Sequence, residues 1–321
     1  MSGETAECHR TAIRGKAGTP RPMTTSEWGL LAALSMLWGG SFFLTRIALE
    51  DLPALTIVLL RLGLGAAGLV VVLRCMGLRL PRDGLSWSGY AVMGLLNNAL
   101  PFCLITWAQI HLTSSVVAVL NATAPFATLV LAHCCTRSEK LNLSRLSGVI
   151  AGLSGVAVMM SPGWASDGGM HVAAHVACLL AAISYACAGV FGLGLRRQSA
   201  APITTAAGQL LAATVLLFPV AMVVDKPFNL PPPGLATIAA VFGLAVLSTA
   251  LAYVLYFQIL MTAGATNLLL VTFLIPVSAT FLGEVFLTEE VGSRELVGFV
   301  FVGAGLIAID GRAFRFVGWL R

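Results

Sequence analysis

Residues that shape membrane helices recur in the second half of this chain, about 150 residues after their first appearance. The recurring pairs are Pro53 and Pro202, Gly94 and Gly243, Gln109 and Gln258, Pro125 and Pro276, Glu139 and Glu289, Gly148 and Gly298, and Gly155 and Gly305. Gln209 takes the place of Arg61 in the second half. Each copy is predicted to contain five apolar helices. An odd number of spans makes the second copy enter the membrane from the opposite side, which predicts an inverted repeat.

The scarcity of charged residues determines the predicted fold class. The chain is 58% hydrophobic and 10% charged, whereas a soluble domain carries about 25% charged residues. Backbone polar groups in lipid need internal partners, so we predict an all-α integral membrane protein with ten transmembrane helices in two inverted five-helix repeats. The predicted spans lie near residues 28–49, 54–74, 86–108, 113–134, 144–162, 172–195, 203–224, 236–259, 267–288 and 293–311. The predicted domains are a disordered cytoplasmic tail (1–26), a first repeat (27–163) and a second repeat (170–312).

The basic residues indicate how the chain is oriented in the membrane. The net charge is +5, and all but four of the 19 Lys and Arg residues fall on one side of the predicted spans. The four exceptions are Arg46, Arg61, Lys226 and Arg294. The positive-inside rule then predicts a multi-pass protein of the cell (inner) membrane with both termini in the cytoplasm. The basic excess reflects topology, so nucleic acid is not a predicted partner.

Several short motifs resemble those of a known family of carriers. They are Trp38-Gly39-Gly40-Ser41-Phe42 with Pro53 and Arg61, Pro125 with Glu139, Gly148 and Gly155, and Thr249-Ala250-Leu251-Ala252-Tyr253 with Pro276 and Glu289. In their order and doubling they are similar to the EamA repeats of the drug/metabolite transporter superfamily, over residues 28–311. The resemblance implies a non-enzymatic secondary transporter of small metabolites, amino acids or toxic compounds that works by alternating access, with export favoured. It does not fix a substrate.

Five residues inside the predicted spans are candidates for lining a substrate cavity: Trp38, Arg61, Asn97, Asn121 and Tyr253. Burying an ionisable side chain inside a membrane span costs free energy, and such residues usually have a function. Arg61 is therefore the leading candidate. It is interpreted either as a cavity charge that attracts anionic groups or helps gating, or as a strut bonded to helix-end carbonyls. Asn97 and Asn121 are selected because prolines lie near them.

Three prolines are predicted to break their helices: Pro101, Pro125 and Pro276. A proline removes one backbone hydrogen bond and frees a carbonyl. Carriers often coordinate substrate at broken helices near the middle of the membrane. These positions therefore predict where the cavity lies.

Arg46 and Glu284 are predicted to lie at similar depth near the outer ends of the first and ninth spans. They are candidates for a gate pair that separates during transport, and snorkelling to the interface is the alternative. If transport is coupled to protons, Glu284 is the first candidate for the titrating group.

Two other function classes remain open from the residues alone. An intramembrane lipid-modifying enzyme needs His, Asp, Glu or Cys clustered at one depth, and a channel or receptor needs a polar pore stripe or a signalling domain. No two histidines share a helical face with a carboxylate, and no phosphate-binding glycine loop occurs, so neither metal nor cofactor is predicted. The predicted partners are a small-molecule substrate and the lipid bilayer, with protons as coupling ion and a homodimer left open.

Overall fold

The structure is a computed structural model that describes residues 23–135, 143–160, 169–195 and 201–310. Within those ranges it is all-helical, with no strand. The helices are α1 (Thr25–Ala48), α2 (Ala54–Cys75), α3 (Gly84–Gly94, Leu95–Ala99 and Leu100–Ala108), α4 (Ser114–Asn121 and Ala124–Cys135), α5 (Leu143–Met160), α6 (Met170–Leu195), α7 (Pro202–Val224), α8 (Leu235–Ala245, Val246–Leu251 and Ala252–Thr262), α9 (Ala265–Leu268 and Val271–Leu287) and α10 (Ser293–Asp310). The middle segments of α3 and α8 are π-helical.

Helix α1 begins slightly earlier than the sequence analysis predicted. Thr24 and Glu27 form a capping box, in which the Glu27 backbone N–H donates to Thr24 Oγ1 and the Thr24 N–H donates to Glu27 Oε2 over 2.8 Å. The box satisfies two N–H groups that an uncapped helix would leave free. The end of the predicted tail at residue 26 is therefore helical, while residues 1–22 and Glu139 lie outside the described residues.

Seven helical stretches in the described ranges are long and apolar enough to cross a membrane. They are Thr25–Ala48, Ala54–Cys75, Gly84–Ala108, Ser114–Leu131, Met170–Gly192, Pro202–Val224 and Leu235–Thr262. Two further apolar helices, Leu146–Met160 and Val271–Leu287, are shorter. The ten crossings and their inverted arrangement stay predictions.

Helix contacts follow a regular exchange pattern. Helix α1 packs against α8 and α9, and α6 packs against α3 and α4. Helix α2 packs against α7, and α5 packs against α10. If each helix of the first half is exchanged for its counterpart in the second half (α1 for α6, α2 for α7, and so on), the same set of pairs results.

Recurring glycines form the contact between α5 and α10. A Cβ atom on Gly148 would lie 2.7 Å from the Gly305 carbonyl oxygen, and one on Gly155 would lie 2.7 Å from the Gly298 carbonyl oxygen. Such distances are too short for a methyl group, so only glycine allows this approach. Small residues allow membrane helices to pack closely, and here each recurring glycine of α5 meets one of α10.

Two hydrophobic cores divide the helices in a way that differs from the predicted repeats. One core joins α2 and α7. The other joins α1, α4, α5, α6, α9 and α10. Helices α3 and α8 contribute to both: Ala99 and Ala250 belong to the first core, and Ile105 and Ile259 belong to the second. Each core therefore contains helices from both halves of the sequence.

Candidate functional site

A cavity of about 980 Å³ is lined by residues of α1 to α4 and α6 to α9, drawn from both cores. All five predicted cavity residues lie on its wall: Trp38, Arg61, Asn97, Asn121 and Tyr253. Arg61 is the one charged residue among the lining residues that the structure describes. The cavity extends to Pro202 and Thr205, in the first turn of α7.

Arg61 lies within α2 and contacts α8 and α3. Its Nε donates a hydrogen bond to Thr249 Oγ1 over 3.1 Å. Its Cζ lies 4.2 Å from the centroid of the Phe102 ring, which is a cation–π contact. No carboxylate forms an ion pair with it in the described ranges, and its two Nη atoms form no hydrogen bond there. The interpretation of Arg61 as a strut bonded to helix-end carbonyls therefore gains no support.

The π-helical segment Leu95–Ala99 opens the wall of the cavity in α3. The Leu100 N–H bonds to the Leu95 carbonyl, five residues back, and Pro101 has no N–H to continue the series. The Leu96 carbonyl instead accepts a hydrogen bond from Ser184 Oγ of α6, over 2.7 Å. Short π-helical segments often occur at functional sites, and this one places Asn97 on the cavity wall.

A second π-helical segment, Val246–Leu251, occupies the matching part of α8 without any proline. Here Thr249 Oγ1 donates a hydrogen bond to the Leu244 carbonyl over 2.8 Å. This side-chain bond lies where the backbone hydrogen bonds change from the α-helical to the π-helical pattern. The same hydroxyl oxygen accepts the bond from Arg61. Ser248 and Thr249 line the cavity as a result.

Tyr253 links three helices through its hydroxyl group. Gln209 Nε2 of α7 donates to the Tyr253 hydroxyl oxygen, and that hydroxyl donates to Asn98 Oδ1 of α3, each over 3.1 Å. Asn98 is fully buried. Gln209 occupies the place of Arg61 in the second half of the sequence, and both residues hydrogen-bond to α8, Gln209 at Tyr253 and Arg61 at Thr249.

Replacing Tyr253 by phenylalanine is expected to lower the unfolding free energy by about 1–3 kcal/mol, because the buried Asn98 amide loses its partner. Thermal unfolding of the purified protein in detergent measures the effect. Tyr185→Phe is the matched control: Tyr185 also lines the cavity, and no hydrogen bond of its hydroxyl is recorded among the described residues. Equal destabilisation by the two variants would contradict the role assigned to the Tyr253 hydroxyl.

Two buried amide oxygens near the cavity have no hydrogen-bond partner in the described part of the chain. They are Asn121 Oδ1 and Gln209 Oε1, and both residues line the cavity. Asn121 ends the first segment of α4, and Pro125 lacks the N–H that would otherwise bond to the Asn121 carbonyl. Unpaired buried acceptors are uncommon in proteins and need an explanation. A ligand that donates hydrogen bonds would satisfy these two.

Aromatic rings form a continuous run along the cavity. The ring centroids of Trp38 and Tyr256 lie 5.8 Å apart, those of Tyr256 and Phe257 lie 5.2 Å apart, and those of Phe257 and Tyr253 lie 6.1 Å apart. Rings at these separations attract one another. The run gives one part of the cavity a flat apolar surface, while other parts of the wall carry polar side chains such as Asn97, Asn121 and Gln209.

Arg46 and Glu284, both among the described residues, form no ion pair with each other. Arg46 Nη1 donates to the Gln109 carbonyl oxygen over 2.6 Å, which joins the end of α1 to the end of α3. Glu284 is exposed on α9 and lies outside the cavity lining. The gate pair and the coupling role of Glu284 stay predictions.

The three prolines behave differently from one another. Pro101 follows the π-helical segment of α3, and Pro125 follows the break at Ala122 and Thr123 in α4. Pro276 lies inside the unbroken segment Val271–Leu287, so its prediction as a helix break is corrected. The break in α9 lies before that segment, and Pro276 only frees the carbonyl of Thr272, four residues earlier.

Carboxylates join the ends of distant helices at one end of the bundle. Asp225 Oδ2, after α7, accepts hydrogen bonds from the Thr56 N–H and hydroxyl of α2, over 2.7 and 2.9 Å. Asp51 Oδ2, after α1, accepts from the Gly234 N–H and the Thr237 hydroxyl of α8, over 2.8 and 2.6 Å. The Thr237 bond and then the Gly234 bond hold the pKa of the Asp51 carboxyl below its usual 3.8. The carboxylate is therefore ionised at neutral pH.

Glu289 makes a third connection of this kind. Its carboxylate accepts from the Ser114 N–H, over 2.9 Å, and from the Ser114 hydroxyl, over 3.0 Å. It thus caps the start of α4 from the loop after α9, as an acidic group at a helix N-terminus does favourably. The end of the bundle that carries Asp51, Asp225 and Glu289 is called the carboxylate-capped end. A small hydrophobic cluster lies beside it, made of Ala48, Leu52, Ile57, Ala240, Val241 and Leu244.

Sequence reasoning missed part of this arrangement. The acidic residues Asp51 and Asp225 indicate only the membrane side of their loops, and the proximity of a proline favours Asn97 without identifying the buried Asn98. The motif Thr24-Thr25-Ser26-Glu27 has the pattern of a capping box, which could have located the start of α1. Nothing in the sequence alone indicates which distant helix a loop carboxylate caps.

A sequence model of the EamA-like transporter family matches residues 27–161 and 172–309. A solved crystal structure of another protein superposes with a TM-score of 0.64 at 17% identity, covering 92% of this chain and 99% of that chain. At that identity the superposition shows a shared fold and nothing more.

Several curated proteins are similar along most of their length. Protein PecM of Dickeya dadantii is 28% identical, over 85% of this chain and 89% of its own. The uncharacterized transporter YoaV of Bacillus subtilis is 24% identical, over 86% and 94%. The uncharacterized inner membrane transporter YedA of Escherichia coli is 28% identical, over 80% and 81%. The resemblance noted in the motifs is confirmed: the chain belongs to the EamA-like transporter family and is a multi-pass membrane transporter of small molecules.

Proposed function

We propose that this protein is a secondary active transporter that exposes its cavity to each side of the cell (inner) membrane in turn. The observation that carries the proposal is one cavity, lined from both cores, that reaches the first turn of α7. The end of α7 lies instead at the carboxylate-capped end. Export is the favoured direction by family resemblance, and the substrates are small metabolites, amino acids or toxic compounds. The driving force is a proton gradient or exchange.

The carboxylate-capped end is proposed to face outward. The loop residues that define it are acidic, whereas the loop between α2 and α3 carries Arg79 and Arg82. The positive-inside rule places such arginines in the cytoplasm, and both termini with them. The described conformation is accordingly the inward-facing state, with the outer end held shut by hydrogen bonds between distant helices.

The moving units are proposed to be the two hydrophobic cores and not the two sequence repeats. Rocking one five-helix repeat against the other would separate α5 from α10 and α1 from α9, which are closely packed. Movement of α2 and α7 against the remaining helices keeps both contacts intact. The cavity lies where these two cores meet.

The π-helical segments of α3 and α8 are proposed hinges for that movement. In each helix the residue that is buried in the first core, Ala99 or Ala250, lies within the π-helical segment, and the residues buried in the second core come after it. Partly buried residues after each segment also pack against the first core. Short π-helical segments inside α-helices are rare and often lie at functional sites. Hinge movement commonly concentrates in a few residues of this kind.

Gly189→Leu tests the cavity as the transport site. Gly189 lines the cavity, and a Cβ atom there meets no atom within 4 Å, so the larger side chain occupies free space. The expected result is a loss of about tenfold in transport rate, with normal expression and thermal stability. The measurement is counterflow in proteoliposomes with a panel of labelled amino acids and organic acids.

Gly29→Leu is the matched control for that experiment. A Cβ atom on Gly29 also meets nothing within 4 Å, and Gly29 lies outside the cavity lining. This variant should retain full transport. Undiminished counterflow in Gly189→Leu would contradict the proposed function, and flux without counterflow would indicate a channel.

A further inference from the structure

The cavity contains a cation without an anion. Arg61 is the one charged lining residue in the described ranges, and its known contacts are one hydroxyl and one aromatic ring. An unpaired charge inside a membrane span costs several kcal/mol. A hydrogen bond and a cation–π contact offset only part of that cost. An anionic ligand would offset more of it.

The contacts of Arg61 leave a defined part of the guanidinium free. Its Nε is occupied by Thr249 Oγ1, and one face is covered by the Phe102 ring. The edge that carries the two Nη atoms forms no hydrogen bond with any of the described residues. This edge is the part of arginine that binds a carboxylate through two parallel hydrogen bonds.

The rest of the cavity specifies what else the ligand carries. The aromatic run from Trp38 to Tyr253 offers flat apolar surface. The unpaired oxygens of Asn121 and Gln209 accept hydrogen bonds. If a ligand carried two negative charges, one of them would have no positive partner in the cavity, and burying an unpaired charge costs free energy. A single carboxylate matches the single cation.

We propose that the cavity selects monovalent organic carboxylates with an aromatic or flat apolar body. The carboxylate binds the Nη edge of Arg61, the apolar body packs against the ring of Trp38, and a donor group of the ligand meets the amide oxygen of Asn121 or Gln209. The proposal rests on the cavity being the transport site, as argued above.

Binding of a matched pair of compounds tests this directly. The probes are 3-(4-hydroxyphenyl)propanoate and its neutral amide, 3-(4-hydroxyphenyl)propanamide, which share an aromatic body and a hydroxyl donor, added to the purified full-length protein in detergent at pH 7. A ligand that binds only the folded state raises the melting temperature. The acid should raise it, and at least tenfold more amide should be needed for the same shift. Equal responses to acid and amide, or an equal response to sodium phosphate or chloride, would overturn the proposal.

Variants locate the selectivity. Arg61→Gln places at this position the residue that Gln209 provides in the second half of the sequence, and it should bind acid and amide equally. Arg61→Lys keeps the charge without the bidentate edge, so it should retain a weaker preference for the acid. Arg79→Gln, at an exposed position in the loop between α2 and α3 and outside the cavity lining, should behave as the unaltered protein. Retained acid preference in Arg61→Gln would also overturn the proposal. Loss of counterflow in Gly189→Leu without any acid preference would leave the carrier function standing and this inference refuted.

Discussion

Gly155→Leu should reduce the yield of folded protein by more than tenfold. A Cβ atom at this position would lie 2.7 Å from the Gly298 carbonyl oxygen and 2.8 Å from Phe301 Cβ. The nearest obstacle is backbone, so no rotamer change relieves the clash, and α5 and α10 must move apart. Overpacking of this kind costs about 1–3 kcal/mol and at times more. Against the marginal stability of a folded protein, that is a large loss.

The measurement is the monodisperse fraction in size-exclusion chromatography after detergent extraction, together with the melting temperature. Gly303→Leu is the matched control, because it lies on α10 as well and a Cβ atom there meets nothing within 4 Å. It should be extracted and melt like the unaltered protein. If Gly155→Leu and Gly303→Leu behaved alike, the close approach of the two helices would be wrong.

The glycine contact shows how far sequence could reach into the fold. The recurrence of Gly148 and Gly155 as Gly298 and Gly305 is visible as a spacing. It predicts small residues at helix contacts, but a spacing does not name the partner helix. The structure supplies the partner, since the glycines of α5 meet those of α10 in reversed order.

The cavity was the better-predicted part of the site. The polar groups of an arginine, an asparagine or a tryptophan inside a span are unfavourable in lipid. Each such residue therefore indicates a cavity or a polar partner on another helix. Arg61, Asn121 and Trp38 are candidates on that basis, and they line one cavity.

The π-helical segment of α8 could not be predicted in the same way. It contains no proline or glycine, and Thr249 is an ordinary residue for a membrane helix. Only the structure shows the π-helical turn and the hydrogen bonds that accompany it, from Thr249 to the Leu244 carbonyl and from Arg61 to Thr249. Pro276 shows the opposite case: the sequence predicted a helix break there, but the helix segment is unbroken.

The combined variant Asp225→Ala and Glu289→Ala should open the carboxylate-capped end. Each carboxylate caps a helix that is distant in the sequence, α2 through Thr56 and α4 through Ser114. Losing one N-cap costs about 1 kcal/mol, so losing both removes about 2 kcal/mol from the closed state. Since about 1.4 kcal/mol corresponds to a factor of ten, the population open to the outside should rise by roughly thirtyfold.

Chemical labelling can measure this opening. Thr45 lies near the end of α1 and lines the cavity, so Thr45→Cys places a thiol just inside the closed end. A membrane-impermeant maleimide added to intact cells should modify this position slowly in the otherwise unaltered protein and many times faster in the double variant. Mass spectrometry of the peptide reports the modified position, so the native cysteines can stay in place.

Asp83→Ala is the control that removes a helix cap without removing a connection at the carboxylate-capped end. Asp83 caps its own helix, because Asp83 Oδ2 accepts from the Ser86 N–H over 2.8 Å at the start of α3. Removing it costs a comparable cap without breaking a connection between distant helices. Labelling from outside should therefore stay slow in Asp83→Ala. Faster labelling in that variant, or slow labelling in the double variant, would show that the carboxylates at the capped end stabilise single helices and do not hold the outer end closed.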